Sequence, residues 1–234
     1  MYQQLSFWDG QSAIASLESG DVRVAPHCER LDLPDADVRV WSQYFPVEQS
    51  DCYLHQLRQD IAWQQDWMQI YDKSVPLPRL TAWYGEANTS YAYSGIEMHP
   101  HAWSPVLMEI KSSVESLLNQ NCDQNNSIRF NSVLLNWYRN GQDSVSWHSD
   151  NESELEKNPI IASVSFGATR RFSLKHKWRK DLATLHLNLV HGSVLLMQGN
   201  TQACWLHQVP KTAKPVGDRI NLTFRIINVS NGNQ

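Results

Sequence analysis

Several absences narrow the class of this 234-residue chain before any motif is found. No stretch approaches the roughly 20 apolar residues that a bilayer crossing needs, so no membrane span is expected. The amino terminus, Met1-Tyr2-Gln3-Gln4-Leu5, lacks the basic and then apolar blocks of a secretory signal. Cysteine is scarce. Cys28, Cys52, Cys122 and Cys204 are scattered and form no CxxC pair, so they read as reduced thiols rather than a disulfide framework. These features together predict a cytoplasmic protein (nucleoid-associated if bacterial, with the nucleus as the eukaryotic variant). A surplus of one charge is also missing. Twenty-four acidic and 20 basic residues give a net charge of −4, which excludes a histone-like polycation. Any nucleic-acid contact must come from local positive charge. There is no internal repeat and no low-complexity linker, so the length fits one domain, or one domain with an extension, acting as a monomer.

Apolar residues make up 41% of the chain, enough for a sizeable core, and tryptophan is abundant at ten residues. Packing accounts for most such rings, and aromatic surface for stacking is the other reading. Helical spacing of Leu54, Leu57, Ile61 and Trp67 predicts a helix over about 49–70. Ser104 followed by Pro105 marks the start of a second helix, with Val106, Leu107, Ile110, Val114, Leu117 and Leu118 on one face. Val38-Arg39-Val40-Trp41 suits a short strand. From about residue 129 the character changes to short strands at 129–138, 160–166, 170–175, 184–189, 193–197, 204–209 and 219–227, separated by turn residues. The expected class is mainly β (α+β): a double-stranded β-helix (jelly-roll) core buttressed by helices N-terminal to it.

Within the strand-rich region, His148-x-Asp150 can present both side chains on one side, and His207 can join them from a later strand. Two imidazoles and a carboxylate cover one face of an Fe(II) ion and leave positions open for a cosubstrate and O2. The competing reading is a surface loop that happens to hold a His and an Asp. In the last strand, alternation puts Arg219, Asn221, Thr223 and Arg225 on one face and Ile220, Leu222, Phe224 and Ile226 on the other. Two arginines in an otherwise buried strand need anionic partners. A dicarboxylate would satisfy both, and a solvent-facing sheet is the alternative. Asn136 and Tyr138 share a face of their own strand and can add hydrogen bonds to the same carboxylate. These residues point to an Fe(II), 2-oxoglutarate-dependent oxygenase.

Asn136-x-Tyr138, His148-x-Asp150, Ile161-Ala162-Ser163-Val164-Ser165-Phe166-Gly167, His207 and Arg219-x-Asn221-x-Thr223-Phe224-Arg225 together resemble the AlkB family of nucleic-acid dealkylases. Pro78-Arg79, Trp83-Tyr84-Gly85 and Tyr91-x-Tyr93-Ser94-Gly95 are similar to its animal DNA-repair branch and bacterial relatives. The resemblance spans about residues 78–227. It implies that His148, Asp150 and His207 bind Fe(II). It also implies that Asn136, Tyr138 and Arg219 hold the distal carboxylate of 2-oxoglutarate, while Arg225, helped by Asn221, holds the end nearer the metal. The implied reaction is oxidative demethylation of N-alkylated bases of the 1-methyladenine and 3-methylcytosine type. Succinate, CO2 and formaldehyde are released. The implied division is an extension at 1–40, a helical and hairpin nucleotide-recognition segment at 41–128, and the jelly-roll core at 129–234.

The substrate implied is DNA, single- or double-stranded, with RNA as the alternative. A methyl on a pairing face is reachable only on a flipped or unpaired base. By similarity Tyr93 and the His148 ring would sandwich that base, with Tyr91 near the backbone; a half-buried hairpin pair is the plainer reading of the two tyrosines. Glu152 would favour cationic lesions. Asn151 stands where an aspartate is common in the family, which makes the pocket less acidic. Tyr71 suits either a wedge that fills the vacated stack or ordinary packing at a helix end. Residues 170–180 form the only dense basic run, with six Lys or Arg among aromatics. Arg171, Lys175 and Lys177 are its candidate phosphate contacts, against a solvated hairpin. The sequence also admits two rival functions. One is a 2-oxoglutarate-dependent hydroxylase of a protein or small molecule, and the other a binding module with a degenerate metal site.

Overall fold

A computed structural model describes residues 27–228 apart from 88, 90, 94–95 and 123–126; the side chains at 70, 91–93 and 96–98 also lie outside the description. The N-terminal part contains β1 (Cys28–Leu31), β2 (Asp37–Trp41), α1 (Val47–Asp60), β3 (Trp67–Ile70), β4 (Lys73–Pro76) and β5 (Leu80–Gly85). Next come a small hairpin, β6 (Tyr91–Tyr93) and β7 (Ile96–Met98), and α2 (Pro105–Asn121). The remaining elements are β8 (Ser132–Tyr138), β9 (Val145–His148), β10 (Ile161–Gly167), β11 (Arg170–His176), β12 (Leu185–Leu189), β13 (Ser193–Gln198), α3 (Thr201–Cys204), β14 (Trp205–Val209) and β15 (Arg219–Arg225).

Two antiparallel sheets form the jelly roll. The larger has seven strands in the order β1-β2-β13-β10-β15-β8-β5, and the smaller has four in the order β12-β11-β14-β9. Side-chain alternation assigns each strand two different jobs. On the outer face of the large sheet, Ile220, Leu222 and Phe224 join Val133, Leu135, Val164 and Phe166. They pack against Leu57 of α1 and Leu107, Ile110 and Val114 of α2 in one apolar cluster. The inner face meets the small sheet, where Val40, Ile161, Leu195 and Met197 pack against Phe172, Leu174, Trp205 and Val209. Strands β10 and β13 are covered on both faces, so they read as nearly continuous buried runs. Strand β12 lies at the rim of the small sheet and keeps an alternating, half-exposed pattern.

The chain passes from β10 to β11 through Gly167, whose φ is +92°. A Cβ there would collide with the Asp218 carbonyl oxygen, so only glycine fits this crossing between sheets.

The helix expected over 49–70 stops at Asp60, and its second half is the β3–β4 hairpin. Long-range partners decide this. Gln64 pairs with Thr81, the Asp66 carboxylate accepts from the Thr81 hydroxyl, and the Gln65 amide donates to the Leu77 carbonyl at 2.8 Å. Trp67, which fits helical spacing, is instead 61% exposed on the hairpin. The second helix forms as expected from Ser104-Pro105, although the Ser104 side chain makes no capping hydrogen bond. Cys204, expected to open a strand, closes the short α3. The described residues contain no helix long and apolar enough to cross a membrane.

Candidate active site

The seam between the sheets holds the histidines and the carboxylate. His148 ends β9, at the edge of the small sheet, and pairs in register with His207 on β14. Their rings lie 4.2 Å apart, centroid to centroid. Asp150 is not on the same strand, contrary to the i, i+2 expectation. The strand ends at His148, and Asp150 enters the site from the segment that follows. One ligand atom from each of His148, Asp150 and His207 lies within 4.8 Å of the others, close enough to converge on one ion.

The surroundings set the state of each ligand. The Nδ1 of His148 is 2.8 Å from the Ser146 carbonyl oxygen. A carbonyl only accepts, so Nδ1 carries the proton and Nε2 presents its lone pair. His207 is nearly fully buried, with the Phe172 ring stacked 5.3 Å away. Burial draws its pKa down to about 3, despite the Asp150 charge, so the ring is neutral at pH 7 and ready to ligate. Burial pushes the Asp150 carboxyl up, but the Arg225 guanidinium and the two imidazoles outweigh it and hold the group below the usual carboxylate range. Arg225 Nη2 lies 3.1 Å from Asp150 Oδ1. The Asp150 backbone N–H donates to the Gln202 side-chain oxygen at 2.9 Å, so α3 fixes the ligand from below. Sequence reasoning missed Gln202. It is 52 residues from Asp150, and its short helix carries no periodic signal.

Asn136, Tyr138 and Arg219, expected to bind the distal carboxylate of the cosubstrate, and Asn221, expected nearer the metal, share the inner face of the large sheet. In register, Arg219 pairs with Tyr138 and Asn221 with Asn136. Arg219 is 1% exposed and lies over the Tyr138 ring, 5.2 Å from its centroid. Its Nη2 donates to Ser165 Oγ at 2.9 Å, while Nε and Nη1 are buried without a hydrogen-bond acceptor among the described residues. Burial draws this guanidinium down to about 10, still cationic at neutral pH. A buried cation with two unused donors is the environment a carboxylate of 2-oxoglutarate would complete. Asn221 donates to Ser163 Oγ and to the Val164 carbonyl, both at 2.8 Å, which braces β15 against β10.

Glu152 is exposed and lines a cleft of about 390 Å³ with Asp150, Asn151, Leu155, Lys177 and Gln202, directly beside the metal-ligand cluster. Tyr71 is 97% exposed at the tip of the β3–β4 hairpin, with a φ of +51°. The side chains of Tyr91 and Tyr93 lie outside the described residues; their strand pairs with β7. The basic run does not form one surface. Arg170 is buried and donates to the carbonyls of Asn140, Asp143 and Pro210. Lys177 donates to the Gln202 carbonyl, Lys175 sits 4.3 Å over the Trp147 ring, and Arg179 pairs with Asp181. Arg171 is exposed on β11.

A jelly roll with two histidines and a carboxylate at the seam, facing a buried arginine, defines a mononuclear-iron oxygenase architecture. The sequence profile of the 2OG-Fe(II) oxygenase superfamily matches residues 37–225. The mouse Alpha-ketoglutarate-dependent dioxygenase alkB homolog 3 is 41% identical over 197 residues, 81% of this chain and 66% of that protein. The Arabidopsis thaliana DNA oxidative demethylase ALKBH2 is 34% identical over 241 residues, 92% of this chain and 74% of that protein. The solved structure of OsALKBH1 shares the fold at a TM-score of 0.56 and 16% identity, covering 86% of this chain and all of that one. The chain belongs to the AlkB family of Fe(II)/2-oxoglutarate oxygenases. It spans just under two thirds of the length of the alkB homolog 3 proteins it matches.

Proposed function

We propose that the protein removes N-linked methyl groups from DNA bases by oxidation, with Fe(II), 2-oxoglutarate and O2. One observation carries the reading: the convergent His148–Asp150–His207 cluster shares the barrel with Arg219, a buried cation with two donors to spare. In this reading His148, Asp150 and His207 hold the metal. Arg219, Tyr138 and Asn136 receive the distal carboxylate, and Arg225 and Asn221 line the end nearer the metal. Bound iron would activate O2 to cleave 2-oxoglutarate to succinate and CO2 and to oxidise the N-methyl carbon. The chain's part is orientation and exclusion. The Ser146 carbonyl fixes the His148 tautomer, Phe172 shields His207 from water, and Arg225 keeps Asp150 ionised and pointed inward. The hydroxymethyl amine that results breaks its C–N bond and leaves as formaldehyde, which restores the base N–H.

The cleft beside Asp150 is the base pocket in this reading, with Glu152 favouring cationic lesions. By family resemblance Tyr93 and the exposed edge of His148 would enclose the base, with Tyr91 assigned to the backbone. Tyr71 stands at the hairpin tip as the wedge for duplex substrates, and Arg171, Lys175 and Lys177 meet phosphates. In this reading the enzyme is a monomer of the cytoplasm, or of the nucleus in a eukaryote, and RNA is the alternative polymer to DNA. Mass spectrometry of an oligonucleotide bearing one 1-methyladenine tests this. Loss of 14 Da, the mass of one CH2, that requires 2-oxoglutarate supports the reading. Succinate without loss of mass moves the activity to another acceptor, and neither product overturns it.

A further inference from the structure

The Pro78-Arg79 pair stands out in the sequence, yet nothing above gives it a task. Arg79 precedes β5, the edge strand of the large sheet. Its Nε donates to Asn136 Oδ1 at 2.6 Å and its Nη1 to the Ser144 carbonyl at 3.2 Å. In return the Ser144 N–H donates to the Pro78 carbonyl at 2.8 Å. Ser144 immediately precedes β9, the strand that ends in His148. The pair therefore clasps the edge of the large sheet to the edge of the small one. It touches Asn136 on one side and the root of the metal-ligand strand on the other.

The contact with Asn136 also settles a chemical ambiguity. A carboxamide can face a neighbour with its oxygen or its nitrogen, but a guanidinium has no acceptor. Arg79 therefore admits only Oδ1, and Nδ2 must turn the other way. Asn136 is 7% exposed, lies beside Asn221 across the β8–β15 ladder, and has no hydrogen-bond acceptor for Nδ2 among the described residues. Tyr138 and Arg219 occupy the next inward-facing pair of the same ladder.

We propose that Arg79 is a positioning residue for the cosubstrate: it locks the Asn136 carboxamide with its N–H2 aimed into the pocket that Arg219 and Tyr138 line. This rests on the 2-oxoglutarate reading of that pocket. Arg79 itself makes no contact with the cosubstrate. Its removal frees Asn136 to present oxygen to a carboxylate, which repels.

The test is a double-mutant cycle on binding rather than turnover. 2-Oxoglutarate is titrated calorimetrically, without oxygen, into the Mn(II)-loaded full chain carrying Arg79→Met, Asn136→Ala or both. Arg79→Met should weaken binding about tenfold, the scale of one hydrogen bond to a charged group, and leave Mn(II) affinity unchanged. In the Asn136→Ala background Arg79→Met should have no further effect, because the residue works only through Asn136. Additive losses, or no loss from Arg79→Met alone, overturn the proposal. If Asn136→Ala and Arg219→Ala both leave binding unchanged, the cosubstrate reading itself has failed. A measurement on the unaltered protein guards against a variant that does not fold. In the Zn(II)-loaded protein the Arg79 Nε–H should exchange slowly with water before cosubstrate is added, and the Asn136 side-chain N–H2 signal should shift on its addition. Fast exchange, or an unmoved Asn136 signal, sinks the proposal.

Discussion

Arg170 and Arg219 are both buried to within 2%, and both guanidinium groups lie over the ring of Tyr138, at 5.6 and 5.2 Å. Neither has a carboxylate partner in an ion pair among the described residues. Arg170 donates to three backbone carbonyls from the loops at 140–143 and 210. Arg219 donates to the Ser165 hydroxyl with the Tyr138 phenol beside it, and its Nε and Nη1 have no acceptor among the described residues. Similar burial thus conceals opposite roles. A saturated guanidinium ties loops together and has nothing left to offer. An unsaturated one keeps a desolvation cost that only a ligand offsets. A related division separates His148, Asp150 and His207, whose ligand atoms converge, from His176, whose Nδ1 already accepts from the backbone N–H groups of Trp178 and Arg179.

The largest effect belongs to the unsaturated set. His207→Ala should remove all detectable turnover of a methylated oligonucleotide and also lower the thermal midpoint, since truncating a buried ring stacked on Phe172 leaves a cavity. Residual turnover near wild type would contradict the metal assignment. Arg219→Met and Arg170→Met then set the two arginines against each other. Arg170→Met should cost about 3 kcal/mol of stability in denaturant titration, because three carbonyls lose their donor together, while 2-oxoglutarate affinity persists. Arg219→Met should do the reverse: roughly hundredfold weaker 2-oxoglutarate binding, with an unchanged or higher melting point. If both variants lose stability and neither loses affinity, saturation does not distinguish the roles.

A smaller, pH-dependent effect sharpens the same point in the metal-free protein. Burial lowers the folded pKa of His207 from 6.5 to about 3. Between those values the unfolded chain binds the extra proton, so stability falls as pH falls across that window, by at most about 1.4 kcal/mol per unit. Asp150 is also lowered and adds in the same direction, near and below the usual carboxylate range. His207→Ala should flatten the upper part of the profile, read by denaturant titration from pH 7 to 4. An identical slope would place the proton elsewhere.

Some of this was legible from residues alone, for reasons that follow from periodicity. The 2-residue repeat of β15 places Arg219 and Asn221 on one face because its other face is uniformly apolar. Helix α2 announces itself through Ser104-Pro105 and a continuous apolar stripe. The same alternation, applied to β11, would have separated Arg170 from Arg171, since Arg170 shares a face with Phe172 and Leu174. Grouping the basic run by charge density obscured that signal. Periodicity alone hid the β3–β4 hairpin that the family resemblance implies around Tyr71, because Gln64, Gln65 and Asp66 end the helical region through partners 12 to 17 positions away. Gln202 and Arg79 act through contacts 52 and 57 residues distant, which no local pattern encodes.

The last expected effect carries the comparison to the surface. Arg171 and Arg179 belong to the same basic run and both are exposed, but they differ as Arg219 and Arg170 do. Arg179 is held by Asp181 through two hydrogen bonds, at 3.0 and 2.5 Å, so its charge is largely compensated. Arg171 has no ion-pair or hydrogen-bond partner among the described residues, and it projects from β11 beside Asn188. A cation that contacts a phosphate displaces about 0.9 of a counterion on duplex DNA and steepens the salt dependence of binding accordingly. Arg171→Gln should therefore reduce the slope of log affinity against log salt by about that amount, whereas Arg179→Gln should scarcely change it. Fluorescence anisotropy with a labelled duplex over a salt series measures both. Equal slopes for the two variants would mean that density of charge, rather than freedom from a partner, selects the residues that meet DNA.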